Sequence, residues 1–334
     1  MRSDMDSRKE MVSSVDKYPV VSVVMATYNG AKFLQQQLES IEAQSRKPDE
    51  LVIVDDCSTD KTWSMLQQFA NGKNWVKLFR NDANQGVMGT FSKALINSVG
   101  DLVFVSDQDD IWFDNKIEKM LSFWKGQALI FSNANIVDES GVKILDSEID
   151  LHGCEIVSGS NPYYFFFFFF FSGHNMSVSR VLINLALPAD VVIMFDNWFA
   201  LVASLVDAVV YVPEVLCSHR MHSANAMNNP EVRKSKRKIR EKKSKRQRFI
   251  GKHLSFMKTL QTVQRYSGVN AEFDSLVNQL IDHHLNFDAR LANVNLCVRL
   301  YQQKNVIFPR KNWLLQLKAI RNACLGVRGY WLAI

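Results

Sequence analysis

Apolar residues in the first 130 positions follow two rhythms. Short β-rich runs occur at Val20–Met25, Leu51–Val54, Val76–Phe79, Leu102–Val105 and Leu129–Phe131. Between them the spacing is helical, as in Leu34, Leu38, Ile41 and in Ile117, Met120, Leu121, Trp124. Strand and helix alternating in this way predict an α/β fold around a mostly parallel sheet buried on both faces. Ligands of such sheets bind beyond the carboxyl ends of the strands, so the residues after each apolar run are where chemistry is expected. From residue 249 the helical spacing returns without strands, in Phe256/Leu260/Val263, Phe273/Leu276/Val277/Leu280, Leu291/Val294/Val298 and Trp313/Leu317/Ile320/Cys324, which predicts an all-helical appendage. Between these regions Tyr163-Tyr164 precede seven phenylalanines, Phe165–Phe171, a homopolymer in which no period can be read. An exposed patch of that kind is costly, so a buried strand or helix is expected.

Composition narrows this picture. The chain of 334 residues is 47% hydrophobic with 14 Gly and 7 Pro, which excludes a collagenous or wholly disordered protein. Its net charge of +6 is local in origin: residues 231–248 hold 11 Lys/Arg against Glu231 and Glu241, leaving the remainder slightly acidic. Five cysteines without a C-x-x-C pattern argue against a disulfide framework or a structural zinc site and suit a reducing cytoplasm. The first residues lack the apolar run of a signal peptide, and no uncharged apolar stretch of about 18 residues is present, so no membrane span is expected.

Three polar clusters follow the apolar runs: Ala26-Thr27-Tyr28-Asn29-Gly30, Asp55-Asp56-Cys57-Ser58-Thr59-Asp60 and Asp107-Gln108-Asp109-Asp110-Ile111-Trp112. Turn chemistry and helix capping account for the first two taken singly. The third holds three carboxylates within four residues, more than one cap uses, and their mutual repulsion asks for a cation. Oxygen donors select Mg²⁺ or Mn²⁺, either of which can bridge to a diphosphate.

The ordered runs VVSVVMATYNGAKFLQQQLESI, LVIVDDCSTDKT, NQGVMGTFSKAL and GDLVFVSDQDDIWFDNKIE resemble non-processive family 2 glycosyltransferases of the GT-A fold, in particular their rhamnosyltransferase-like branch, over roughly residues 19–225. The resemblance implies that Thr27, Tyr28, Asn29 and the pair Asp55 and Asp56 hold the nucleoside of the donor, with Tyr28 offering a stacking face. It implies that Asp107 binds the donor, that Asp109 is the direct metal ligand, and that Asp110 caps the following helix or points to the acceptor. Phe195-Asp196-Asn197-Trp198 aligns with the acidic position of the catalytic base, so Asp196 takes the acceptor proton during a direct, inverting displacement. By spacing alone Asp196 equally caps the helix that contains Trp198. Cys217–Asn225 resembles the closing Y-R-x-H-x-x-N segment: Arg220 supplies charge for phosphate, and His222 completes the metal shell or touches the diphosphate.

This sequence departs from the family at His219, where Tyr is commoner, and at Thr90, where Asn is commoner; it also lacks the processive-synthase Q-x-x-R-W signature. The expected organisation is an N-terminal extension 1–18, a GT-A domain 19–225, a basic linker 226–248 and a helical region 249–334. The expected function is metal-dependent, inverting transfer of a sugar, rhamnose by the resemblance, from a nucleotide-diphosphate donor to a lipid-linked or polysaccharide acceptor. The enzyme is expected in the cytoplasm, peripherally on the inner face of the membrane through an anionic surface. Two other classes compete: a nucleic-acid binder using Arg233–Arg248 as a phosphate-tracking arm, and an inactive GT-A scaffold. Intact Asp109 and Asp196 weigh against the scaffold, and the absence of a recognisable nucleic-acid module weighs against the binder.

Overall fold

A computed structural model describes residues 18–152, 158–167, 172–188, 194–223, 225 and 258–285. In chain order the elements are β1 (Val21–Thr27), α1 (Leu34–Glu42), β2 (Glu50–Asp55), α2 (Thr62–Ala70), β3 (Val76–Arg80), α3 (Gly86–Asn97), β4 (Leu102–Ser106), β5 (Ile111–Trp112), α4 (Lys116–Phe123), β6 (Leu129–Val137), β7 (Lys143–Leu145), α5 (Glu148–His152), α6 (Pro162–Phe167), β8 (Met176–Ser179), α7 (Arg180–Ala186), α8 (Phe195–Val206), β9 (Val209–Arg220) and α9 (Ala271–Leu285). The chain divides into two compact units. The first comprises residues 1–132, 173–187 and 212–217; the second comprises 133–172, 188–211 and 218–334.

The first unit is built on a mixed sheet of order β3-β2-β1-β4-β8-β6-β9-β5. The β3-β2-β1-β4 half is parallel, and β8 pairs antiparallel with both β4 and β6. The alternating pattern predicts the parallel half, the antiparallel pairing lies beyond β4, and the whole is the GT-A-like α/β arrangement that the family resemblance implies. Val23, Val24, Met25, Leu51–Val54 and Leu102–Val105 are wholly buried, so both faces of the parallel half are covered; this is why these strands read as unbroken apolar runs. Edge strand β3 is only half-buried.

Register decides where the polar clusters fall. Thr27 pairs with Asp55, Met25 with Ser106, and Asp55 with Arg80, so the loops after β1, β2, β3 and β4 leave the sheet at one edge. The opposite, amino edge is clamped by Glu50, a buried carboxylate. It accepts hydrogen bonds from Ser22 Oγ (2.5 Å), Lys77 Nζ (2.6 Å) and Val99 N–H (2.5 Å). Gly100 N–H donates to Ser22 Oγ (2.7 Å), and a Cβ at Gly100 would lie 2.4 Å from that oxygen, so only glycine fits there.

In the second unit the latter part of β6 forms a hairpin with β7, pairing Ile136 with Leu145. Asp138 Oδ1 closes its turn by accepting from Ser140 N–H (2.9 Å), Ser140 Oγ (2.7 Å) and Val142 N–H (2.9 Å), and Gly141 supplies the positive φ of 88°. Helix α8 is buried from Phe195 to Leu205, and α6 packs on it. The start of the aromatic tract is therefore a buried helix: Tyr164, Phe165 and Phe166 lie inside, and Phe166 meets Phe273 of α9 edge-on at 5.8 Å. Phe168–Phe171 lie outside the described residues. Phe273, Leu276, Val277 and Leu280 form the buried stripe of α9 that their spacing predicts. The 226–248 arm, Phe256 and the apolar positions from Leu291 to Cys324 lie outside the described residues.

Candidate active site

The loops after β1 and β2 are stitched together by their own polar side chains. Asn29 takes the left-handed conformation (φ 48°), which asparagine tolerates better than most residues. Its Oδ1 accepts from Thr59 N–H (2.8 Å), and its own N–H donates to Ser58 Oγ (2.9 Å). Gly30 N–H donates to Thr62 Oγ1 (2.8 Å), and Ala31 N–H to Asp60 Oδ2 (3.2 Å). Burial by itself would raise the Asp60 pKa, but the bonds from Thr62 and Ala31 outweigh it and hold this carboxyl below the usual range.

Asp55 and Asp56 have separate duties. Asp55 is buried and accepts from Thr27 Oγ1 (3.1 Å), Ser58 Oγ (2.5 Å) and Ser58 N–H (3.0 Å), and Arg80 Nε lies 3.2 Å from it. Asp56 faces the next loop. It accepts from Asn81 Nδ2 (2.8 Å), Gln85 N–H (2.7 Å) and Gly86 N–H (2.9 Å), satisfying orphan donors at the start of α3. Thr27 is buried with them, whereas the Tyr28 side chain is open to solvent, 48% exposed, and Asn29 is exposed as well. The β1 loop thus offers one aromatic face on a backbone fixed by a buried polar lattice.

The loop after β4 carries the carboxylates. Asp107 and Asp109 are half-buried, whereas Asp110 is 1% exposed. Gln108, between the first two, reaches back to the β1 loop: its Oε1 accepts from Tyr28 N–H (2.9 Å), and its Nε2 donates to Tyr28 C=O (3.0 Å). Because β8 runs antiparallel to β4, the amino end of β8 lies beside this loop and delivers His174, which is 2% exposed. His174 Nδ1 lies 3.8 Å from Asp107 Oδ2 and 3.6 Å from Asp110 Oδ2. Lys116 Nζ, buried over the Trp112 ring at 4.5 Å, fixes the His174 backbone by donating to its carbonyl (2.7 Å).

Ligand atoms of Asp107, Asp110 and His174 all lie within 4.8 Å of one another, and two carboxylates plus an imidazole are a donor set that suits Mn²⁺. Asp109 is not in this group. The run SGHNMSVSR around His174 resembles the family's strand beneath the transferred sugar, but nothing in its spacing marks His174 as a metal ligand. Only the antiparallel pairing of strands far apart in the chain places it against Asp107.

The remaining expected residues lie in the second unit. Asp196 is buried in the first turn of α8, where its Oδ1 accepts from the Asn197 N–H (2.8 Å). Arg220, at the end of β9, is buried, and its guanidinium donates to Glu139 C=O (3.0 Å). Asn225 closes the following segment on itself: its amide donates to Arg220 C=O (3.0 Å), and its Oδ1 accepts from His222 N–H (2.6 Å). His219 is paired with the buried carboxylate of Glu148 (2.9 Å), which also accepts from Ser172 Oγ (3.0 Å).

Residues 22–180 match the family model Glycosyl transferase family 2. The "Putative teichuronic acid biosynthesis glycosyltransferase TuaG" of Bacillus subtilis (strain 168) is 35% identical over 114 residues, 34% of this chain and 45% of that protein. The UDP-Glc:alpha-D-GlcNAc-diphosphoundecaprenol beta-1,3-glucosyltransferase WfaP of Escherichia coli is 29% identical over 116 residues, 35% of this chain and 45% of that protein. The chain spans about half the length of the curated relatives it matches. Among solved structures, S. aureus TarS 1-349 in complex with UDP-GlcNAc superposes with a TM-score of 0.54 at 17% identity, over 91% of this chain and 81% of that one. That likeness speaks to the fold.

Proposed function

We propose, from the match of residues 22–180 to Glycosyl transferase family 2, that the chain transfers a sugar from a nucleotide-diphosphate donor to a hydroxyl of a cell-surface glycan precursor, with inversion at the anomeric carbon. The observation that carries this reading is the meeting, at one sheet edge, of an exposed Tyr28 ring with the acidic Asp107–Asp110 loop. A nucleoside diphosphate needs these two things: an apolar face for the base, and carboxylates that recruit a cation for its phosphates. A relative named as acting on a diphosphoundecaprenol-linked sugar supports a lipid-linked acceptor. The sequence resemblance favours rhamnose as the sugar, whereas that same relative favours glucose from UDP.

Asp107, Asp110 and His174 are placed to hold a divalent cation, with Asp109 half-exposed beside them; the cation, when bound, neutralises charge on the departing diphosphate. Tyr28 and Asn29 receive the nucleoside, while Thr27, Asp55 and Asp56 hold the loops that present it. Asp196 accepts the acceptor proton as the acceptor oxygen bonds to the anomeric carbon and the carbon–oxygen bond to the diphosphate breaks. One carboxylate suffices, since inversion uses a base on one face and a leaving group on the other. Arg220 and His222 act on the diphosphate side, and the basic 231–248 arm holds the protein at an anionic membrane surface.

The test is a thermal-shift panel of dTDP-rhamnose, UDP-glucose, UDP-GlcNAc and GDP-mannose with and without Mn²⁺, followed by transfer assays with the best donor. Stabilisation by one nucleotide sugar that grows with Mn²⁺ is expected. A chain that responds to none of them, but binds RNA or DNA at physiological salt, overturns the reading.

A further inference from the structure

Gln108 is the residue between the first two carboxylates of the acidic loop, yet its side chain turns away from them to the backbone of Tyr28. It meets that backbone at two points, accepting from the N–H at 2.9 Å and donating to the C=O at 3.0 Å, as a neighbouring strand would. The seat is shaped for it: a Cβ at Gly30 would lie 2.1 Å from Gln108 Oε1 and 2.3 Å from its Cδ. Gly30 has no positive φ, so its missing side chain is explained by this contact and not by backbone conformation. Tyr28 therefore has a fixed main chain and an exposed ring, and what fixes the main chain is a side chain of the cation loop.

We infer that Gln108 is a positioning residue that couples the two halves of the donor site, so that nucleoside binding at Tyr28 and cation-assisted diphosphate binding at Asp107–Asp110 reinforce each other. The inference rests on the nucleotide-sugar reading above. A nucleoside diphosphate spans both loops; ordering either loop orders the other through the paired amide bonds, and whatever one half gains from the other it returns equally. Both bonds are at the exposed end of the site, so each has the ordinary worth of a solvent-accessible hydrogen bond, and losing the pair should weaken binding about 5- to 20-fold.

The experiment is calorimetric titration of the full chain with UDP, dTDP and GDP, with and without Mn²⁺, and with the matching nucleosides, which have no phosphate. Gln108→Ala should weaken both nucleoside and nucleoside diphosphate about 5- to 20-fold and shrink the gain that Mn²⁺ confers on the diphosphate. In transfer assays the donor KM should rise by a similar factor while kcat changes far less. Gly30→Ala, whose new methyl displaces the amide, should reproduce these effects, and the double variant should be no worse than Gln108→Ala alone, because the clash has lost its partner. Gln108→Glu keeps the length and the acceptor for Tyr28 N–H but opposes the Tyr28 carbonyl with an oxygen. It should fall between wild type and Gln108→Ala for nucleosides, and it serves in place of Gln108→Ala if that variant does not fold. Wild-type binding with no change in Gln108→Ala, or additive losses in the double variant, overturns this inference alone. A wild-type chain that binds none of the nucleotides overturns it together with the functional reading.

Discussion

At the scale of single residues, carboxylates of one chemical type sit in three different surroundings. Asp56 is structural: three donors converge on it from Asn81, Gln85 and Gly86. Asp56→Ala leaves these part-buried donors without their acceptor and should cost about 1–3 kcal/mol in denaturant unfolding. Asp109 is half-exposed in the same loop as Asp107 and Asp110 and lies outside the group that Asp107, Asp110 and His174 form. If Asp109 is the direct ligand that the sequence resemblance implies, Asp109→Asn should remove the Mn²⁺-dependent part of stabilisation by a nucleoside diphosphate; retained Mn²⁺ dependence would leave the ligand role to Asp107, Asp110 and His174. Asp196 sits in the first turn of α8, where a carboxylate also suits the helix dipole. Asp196→Asn keeps shape and should preserve donor binding while transfer falls by about 10²–10⁴-fold, the range for a lost general base. Near-normal turnover would return Asp196 to capping.

At the scale of elements, the sheet has a chemical edge and a structural edge, and Glu50 belongs to the second. Burial by itself would raise its pKa, but hydrogen bonds from Lys77, Ser22 and the Val99 N–H, with the Lys77 charge, more than offset this and hold it below the ordinary value. A carboxyl depressed in the folded state stabilises the fold fully above its unfolded pKa of about 4.3, and that contribution fades as pH falls through the lower folded value. Glu50→Gln should therefore be less stable than wild type at pH 7 and show a shallower stability loss between about pH 5 and pH 3, measured by urea unfolding across that window. A parallel loss of stability in both proteins would show that Glu50 does not carry the pH dependence. Nucleotide binding, on the far edge of the same strands, should not change at pH 7.

At the scale of the whole molecule, no helix among the described residues is long and apolar enough to cross a membrane. The proposed membrane attachment through the 231–248 segment, with 11 Lys/Arg, is testable, since each basic residue near an anionic surface contributes about 1 kcal/mol. Changing Lys234, Lys236, Arg237, Lys238, Lys242 and Lys243 to Gln should release the protein from phosphatidylserine vesicles at 0.1 M salt and leave transfer to a soluble acceptor unchanged, as sedimentation with vesicles would show at about one Debye length of 10 Å. Persistent binding at high salt would instead point to the apolar positions Trp313–Leu325.

The sequence by itself determined the alternation of strand and helix, the burial of Leu51–Val54 and Leu102–Val105, the helical stripe of α9 and the positions of the polar clusters, because periodicity and turn chemistry are local properties of the chain. The motif order alone also made Thr27, Tyr28 and Asp107 candidates for one site. Pairing was beyond its reach. That Asp55 and Asp56 are consumed by the loops they begin follows from register between strands, as with Thr27 against Asp55. That His174 joins Asp107 follows from β8 running antiparallel to β4, a contact between segments some 70 residues apart that leaves no periodic trace. Gln108 reads as a mere spacer in D-Q-D-D until its amide is found on Tyr28, 80 residues away, in the space that a side chain at Gly30 would take. Local patterning states which residues a strand hides and where it stops; tertiary structure alone decides which stops become neighbours.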